Sequence, residues 1–185
     1  MFTSLANQFL IAMPNLADPY FSQTVTFLCE HNEEGALGII INRPLAMSMT
    51  EVLSQMRLTA LDETLAQVPV YSGGPVQQER GFVLHNLPAK WESSMQVADE
   101  LFLTTSKDVL DAIARGEGPA NSLVALGYAG WAAGQLEQEM HDNAWLNCPA
   151  NAKIIFELAP ELRWNAAAES IGIDLQRLSN QTGHA

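Results

Sequence analysis

Apolar and polar positions alternate in blocks along this chain, and the period of each block predicts an element. The stretch TVTFLCEHNEEGALGIIINRP reads as two strands, about 24 to 30 and 36 to 42. A polar turn ending in Gly35 joins them, which is the pattern of a hairpin. Ser48 followed three positions later by Glu51 makes a capping box ahead of Val52, Leu53 and Met56. Their spacing lays one apolar stripe on a helix and predicts a helix over about 49 to 57. Val68 to Ser72, Gly81 to Asn86 and Glu100 to Thr104 read as further strands. Thr105 precedes Asp108 by three, Val109, Leu110 and Ile113 share one helical face, and Gly116 supplies a stop, predicting a helix over 106 to 115. SLVALGY reads as a buried strand. GWAAGQLEQEM enters a helix with Ala133, Leu136 and Met140 in register. Ala144 to Leu146 reads as a strand, and the tail forms a helix over 160 to 171.

Strands and helices interleave, but the hairpin and the closely spaced strands break any regular βαβ alternation. The fold class expected is therefore mixed α+β rather than a doubly wound sheet. No Pro/Ser-rich linker, charge block or fixed-period repeat divides the chain, so residues 1–185 are expected to form one domain.

Composition narrows the function classes. Hydrophobic residues make up 48% and charged residues 16%, which suits a chain that buries a core. Nine Lys+Arg stand against 21 Asp+Glu for a net charge of -12. The cations are scattered, no two closer than eight positions. Phosphate backbones demand clustered positive charge, so direct nucleic-acid binding and attachment to an anionic membrane are disfavoured. Arg43 is the first cation, and the early apolar run Phe9 to Met13 is closed by Pro14. No signal peptide is visible, and nothing approaches the ~18 apolar residues of a membrane span. The expectation is a cytoplasmic protein with Cys29 and Cys148 as reduced, buried thiols.

Three groups of residues invite a chemical reading. In SGGPVQQERGFVLHN the glycines Gly73 and Gly74 stand beside Glu79, Arg80 and His85. On a strand, Arg80 and His85 point to opposite faces, and Glu79 lies ~20 Å from His85 at about 3.3 Å per residue, so no dyad forms within the segment. The glycines read as a backbone needing φ > 0, and His85 as a core histidine. In GYAGWAAGQ Gly127, Gly130 and Gly134 mark a strand-to-helix junction whose free N–H groups are a candidate anion cradle. Their spacing matches no nucleotide-binding fingerprint. The plainer reading is close packing, with Gly134 permitting backbone approach and Trp131 covering the core. The acids and histidines around Cys29–His31 and Glu137–Asp142 lack metal-ligand spacing, so neither metal nor cofactor is expected. Arg43, closing a very apolar strand, suits an anion clamp or, preferably, a pair with one of the many acids. Asp18-Pro19-Tyr20-Phe21 reads as a turn that delivers two aromatics.

FLIAMPNLADPYFSQTVTFLCEH, GALGIIINRP, SGGPVQQERGFVLH, GYAGWAAGQLEQEM and NAWLNCPA together resemble the AlgH/YqgE family of bacterial proteins, from about residue 7 to about 174. The resemblance implies an α+β domain with a branched β-sheet, part of it closed like a small barrel, surrounded by helices. It carries a regulatory association, with members labelled as transcriptional regulators, and it brings no catalytic residues to transfer. The reading that follows is a non-enzymatic regulatory or binding module acting through a protein partner or small ligand, and on transcription only indirectly. The alternative is an enzyme whose site is assembled from distant segments: Arg43, the 127–134 junction, and His31 or His85. Candidate ligand-binding residues are Arg43, Gly73, Gly74, Arg80, His85, Gly127, Gly130, Trp131 and Gly134.

Overall fold

A computed structural model describes residues 1–182, with side chains through residue 179. The fold is α+β. Ten strands run in chain order as β1 (Gln8–Ala12), β2 (Val25–Asn32), β3 (Gly35–Ile40), β4 (Pro44–Ser48), β5 (Pro69–Ser72), β6 (Val76–His85), β7 (Ser94–Ala98), β8 (Leu101–Thr104), β9 (Ser122–Ala132) and β10 (Trp145–Pro149). Among the described residues six α-helices lie between and after them: α1 (Met49–Gln55), α2 (Lys107–Ala114), α3 (Gln135–His141), α4 (Ala152–Phe156), α5 (Pro160–Glu169) and α6 (Leu175–Thr182).

Eight strands form one antiparallel path in the order β10-β1-β2-β3-β9-β6-β8-β7, curled into half a barrel. The sheet branches at β9. One edge of β9 carries β6; the other carries β3 against residues 129–132 and β5, in parallel, against residues 125–126. β4 then pairs with β5 as a side arm. The core divides accordingly. Phe9, Phe27, Ile39 and Leu84 pack against Ile155 and Ala167 of the C-terminal helices. Val52 and Leu53 of α1 meet Val109 and Leu110 of α2 over Val83 and Val124. Leu10, Leu28, Trp131, Leu136 and Trp145 form a third cluster under α3.

Local signals act as expected at several ends. The Ser48 hydroxyl accepts the Glu51 N–H at 3.4 Å and opens α1. α2 begins one residue later than expected, after Ser106, whose hydroxyl donates to Asp108 Oδ1 instead of capping a backbone N–H.

Three differences from the sequence reading have physical causes. GWA does not begin a helix: β9 continues to Ala132 because β3 pairs with it, Ala36 facing Trp131 and Gly35 facing Ala132. The burial alternates with a period of two there, Trp131 inside between exposed Gly130 and Ala132. The apolar run at Phe9 to Ala12 is a central strand, buried on both faces between β2 and β10. β4, β7 and the first half of β6 also extend the strand set, since neighbours rather than their own mixed composition hold them. No helix among the described residues is long and apolar enough to cross a membrane. Cys29 and Cys148 are free and buried, and burial raises both thiol pKa values.

Candidate functional site

The glycines of the two candidate loops meet at the branch of the sheet. A Cβ on Gly73 would lie 2.3 Å from the Gly127 carbonyl oxygen. Gly127 itself stands at φ +80°, in the left-handed region that favours glycine. The polar groups here are spent on the fold: the Gly73 N–H donates to Leu126 O at 2.8 Å, and Gly73 O accepts from the Ile40 N–H at 2.9 Å. Gly73, Gly74 and Gly127 thus let three strands diverge from one point. Gly134 differs from expectation. Nothing lies within 4 Å of where its Cβ would stand, so it permits no close approach. Its φ of +78° turns the chain from β9 into α3, and Leu136 supplies the packing.

The charged and imidazole candidates do not converge on one site. Arg43 pairs with no carboxylate among the described residues; its guanidinium donates to the carbonyls of Ser22 and, at 3.4 Å, Pro19. The 18–22 turn supplies these acceptors, with Asp18 Oδ1 accepting the Tyr20 N–H at 2.8 Å. Phe21 from this turn packs edge-on to Trp145, while Tyr20 is exposed. His85 is fully buried at the end of β6, stacked on Phe102 at 5.8 Å. Its Nδ1 lies 2.6 Å from the Asn86 carbonyl and so carries the proton and donates. Nε2 then accepts from the Thr104 hydroxyl at 2.6 Å. Burial pushes its pKa below the ordinary histidine value. His31 is buried as well: Nδ1 accepts the Leu5 N–H at 2.9 Å, and Nε2–H donates to Glu137 of α3. Both imidazoles are fixed by their neighbours, and the Thr104 hydroxyl that His85 meets is itself fully buried. Among the described residues no group of three or more His, Cys, Asp and Glu side chains is placed to hold a metal ion.

Two open grooves use the remaining candidates. Arg80 lies over the Phe82 ring at 5.6 Å and borders a cleft of about 460 Å³ with Lys107, Ser106, Met56 and Leu110. The other groove, about 430 Å³, runs beside β3 and the last residues of β9, with Glu30, Asn32, Glu34, Val76, Tyr128 and Gly130 around it. A bulge between Leu28 and Glu30 buries both Leu28 and Cys29 and leaves Glu30 outside. Tyr128 and Gly130 share one face of β9, and the bare Gly130 leaves room beside the Tyr128 ring, 3.3 Å from where a Cβ would be. Trp131 lines the groove from the same strand, but its indole lies in the cluster under α3 and donates to Glu139 Oε1 at 3.0 Å.

Sequence reasoning missed this groove. Glu30 closes the predicted strand 24–30, Glu34 lies in the polar turn after it, and Tyr128 reads as one more residue of a buried strand. The strand alternation through Ala132, once extended, would have put Tyr128 beside Gly130; the bulge that exposes Glu30 has no local signal.

An AlgH-like family model matches residues 9–176. UPF0301 proteins are similar over nearly the full length of both chains. That of Nitrosococcus oceani is 52% identical over 179 residues, 97% of this chain and 96% of its own. That of Thioalkalivibrio sulfidiphilus is 54% identical over 183 residues, covering 99% and 98%. The solution structure of the AlgH protein from Pseudomonas aeruginosa superposes with a TM-score of 0.81 at 53% identity, covering 100% of both chains. A protein from Corynebacterium diphtheriae shares the fold at a TM-score of 0.74 and 18% identity, covering 96% of this chain and 93% of its own.

Proposed function

The chain belongs to the AlgH-like family, and from that premise we propose a cytoplasmic binding and regulatory module that docks a basic segment of a protein partner in the groove beside β3 and β9. The observation that carries this reading is the pairing of exposed Glu30 and Glu34 with the Tyr128 ring across the gap at Gly130. Carboxylates give charge-assisted hydrogen bonds to Lys and Arg, and a tyrosine face attracts the same cations. The net charge of -12 steers a basic segment inward and repels nucleic acid, so an effect on transcription passes through the partner. The groove is open along its length, which suits an extended segment better than a small enclosed substrate.

Fluorescence anisotropy with a labelled arginine- and lysine-rich peptide tests the reading at low and at physiological salt. Gly130→Val fills the gap and should weaken binding, as should Glu30→Gln with Glu34→Gln. The control removes two acids elsewhere, Glu51→Gln with Glu63→Gln. If control and groove variants weaken binding equally, only net charge is being read, and the docking site is rejected.

A further inference from the structure

Arg163 of α5 is a buried cation, 4% exposed. Its Nε–H donates to Leu158 O at 2.9 Å, Nη1 donates to Ile41 O, and the guanidinium lies 5.1 Å from the Tyr71 ring centre. These are neutral partners. Among the described residues no carboxylate comes within ion-pair distance of it. A guanidinium carries five N–H donors, and burying its charge without a counter-charge is costly. Burial already presses its pKa downward, offset in part by Tyr71 and Glu161.

Arg163 is not enclosed by packed core alone. It lines a pocket of about 140 Å³ between α4 and strands β5 and β9, with Tyr71, Ser122, Leu123, Ile155 and Phe156 around it. That volume is several times the ~30 Å³ of one water. The pocket adjoins a larger groove of about 420 Å³, which shares Val68, Ser122 and Phe156 with it and continues past Met49, Ile113 and Asn121. A ligand's head and body thus have separate places.

We propose that the Arg163 pocket binds a carboxylate, with the remainder of the ligand lying in the adjoining groove. A carboxylate is planar and singly charged. It matches the fork of one guanidinium and needs no second cation, whereas a phosphate dianion would be left half neutralised. Tyr71, beside the guanidinium, and Ser122 also line the pocket and carry hydroxyls able to donate, and the apolar sides of Leu123, Ile155 and Phe156 strengthen the pair by excluding water. This site is separate from the acidic groove and takes the opposite charge. Its carboxylate is that of a free small acid or of a peptide chain end.

The experiment is a titration of the nitrogen-labelled full chain with sodium acetate, against sodium chloride at matched ionic strength. The side-chain Nε–H resonance of Arg163 is followed beside that of exposed Arg57. A saturable shift confined to Arg163, weakened about tenfold or more by Ser122→Glu, supports the site. Ser122 is exposed, so the variant folds while placing its own carboxylate at the pocket mouth. Arg163→Lys keeps the charge, loses the fork and should weaken binding as well. Equal, unsaturating drift of Arg57 and Arg163 overturns the proposal, as does a saturable shift that Ser122→Glu leaves unchanged. Two further probes separate the sources. An N-acetylated dipeptide that binds more tightly as the acid than as the amide points to a chain end; a short dicarboxylate that outcompetes it points to a free small acid.

Discussion

A Cβ on Gly127 would lie 2.4 Å from the carbonyl oxygen of Gly74, so the middle of β9 and the loop between β5 and β6 touch backbone to backbone where the sheet branches. Gly127→Ala therefore meets two penalties, a strained φ of +80° and a clash with an atom that cannot rotate away. Gly134→Ala meets only the first, since nothing lies within 4 Å. The expected losses are about 3 kcal/mol or more for Gly127→Ala and ~1 kcal/mol for Gly134→Ala. Urea unfolding of the two variants checks the ranking; equal losses would mean that the strand contact contributes nothing.

This contrast shows where the sequence was legible. The need for φ > 0 at Gly127 could be suspected from a glycine-rich strand end, and the hairpin of β2 and β3 followed from alternation alone. What Gly127 faces could not be read, because Gly73 and Gly74 reach it through the pairing of β5 and of β6 with β9, more than fifty positions apart. A second non-local pairing, of β3 with the end of β9, turned GWA into strand against its helix-like composition. Arg163 carried no signal at all in a segment rich in alanine; its burial depends on Tyr71 and Ile41, brought close by the fold.

Glu139 is the next point of leverage. Its Oε1 accepts from the indole N–H of Trp131 at 3.0 Å and of Trp145 at 2.9 Å, and Gln135 donates to Oε2 at 2.8 Å. Both indoles are buried. Glu139→Ala leaves two buried donors unpaired and should cost about 2–4 kcal/mol, because each lost partner exposes a desolvation penalty. Glu139→Gln keeps an acceptor and should cost less. Tryptophan fluorescence during denaturation reads both variants, and it reports directly on the cluster that changes.

Acid should destabilise the protein through His85. Its folded pKa lies below the ordinary value of 6.5, since burial disfavours the imidazolium. The unfolded chain therefore binds the proton first, and stability rises with pH wherever it does so. The contribution is fully present above the unfolded pKa and is lost as pH falls through it toward the folded value. His85→Gln should flatten this part of the stability profile, measured by urea unfolding between about pH 5 and pH 8. An unchanged slope would place the titration elsewhere.

The thiols make the opposite case. Cys29 and Cys148 lie in one core cluster with both side chains buried, and burial raises both pKa values, that of Cys29 also through Glu30. The thiolate is the reacting form, so both groups should be inert to an aromatic disulfide reagent in the native protein and reactive in urea. The native reaction rate should then equal the rate at which the core opens and should fall with any stabilising condition. Alkali acts through the same shift. The unfolded thiols ionise first, so their contribution to stability is complete below the unfolded pKa and declines as pH rises through it. Cys29→Ser and Cys29→Ala separate the two effects. Both remove the alkaline decline from this site, but serine also buries a hydroxyl beside the Phe27 carbonyl, where the thiol now lies 3.7 Å away. If native Cys29 reacts as fast as the unfolded chain, the core around β2 opens far more readily than its packing implies.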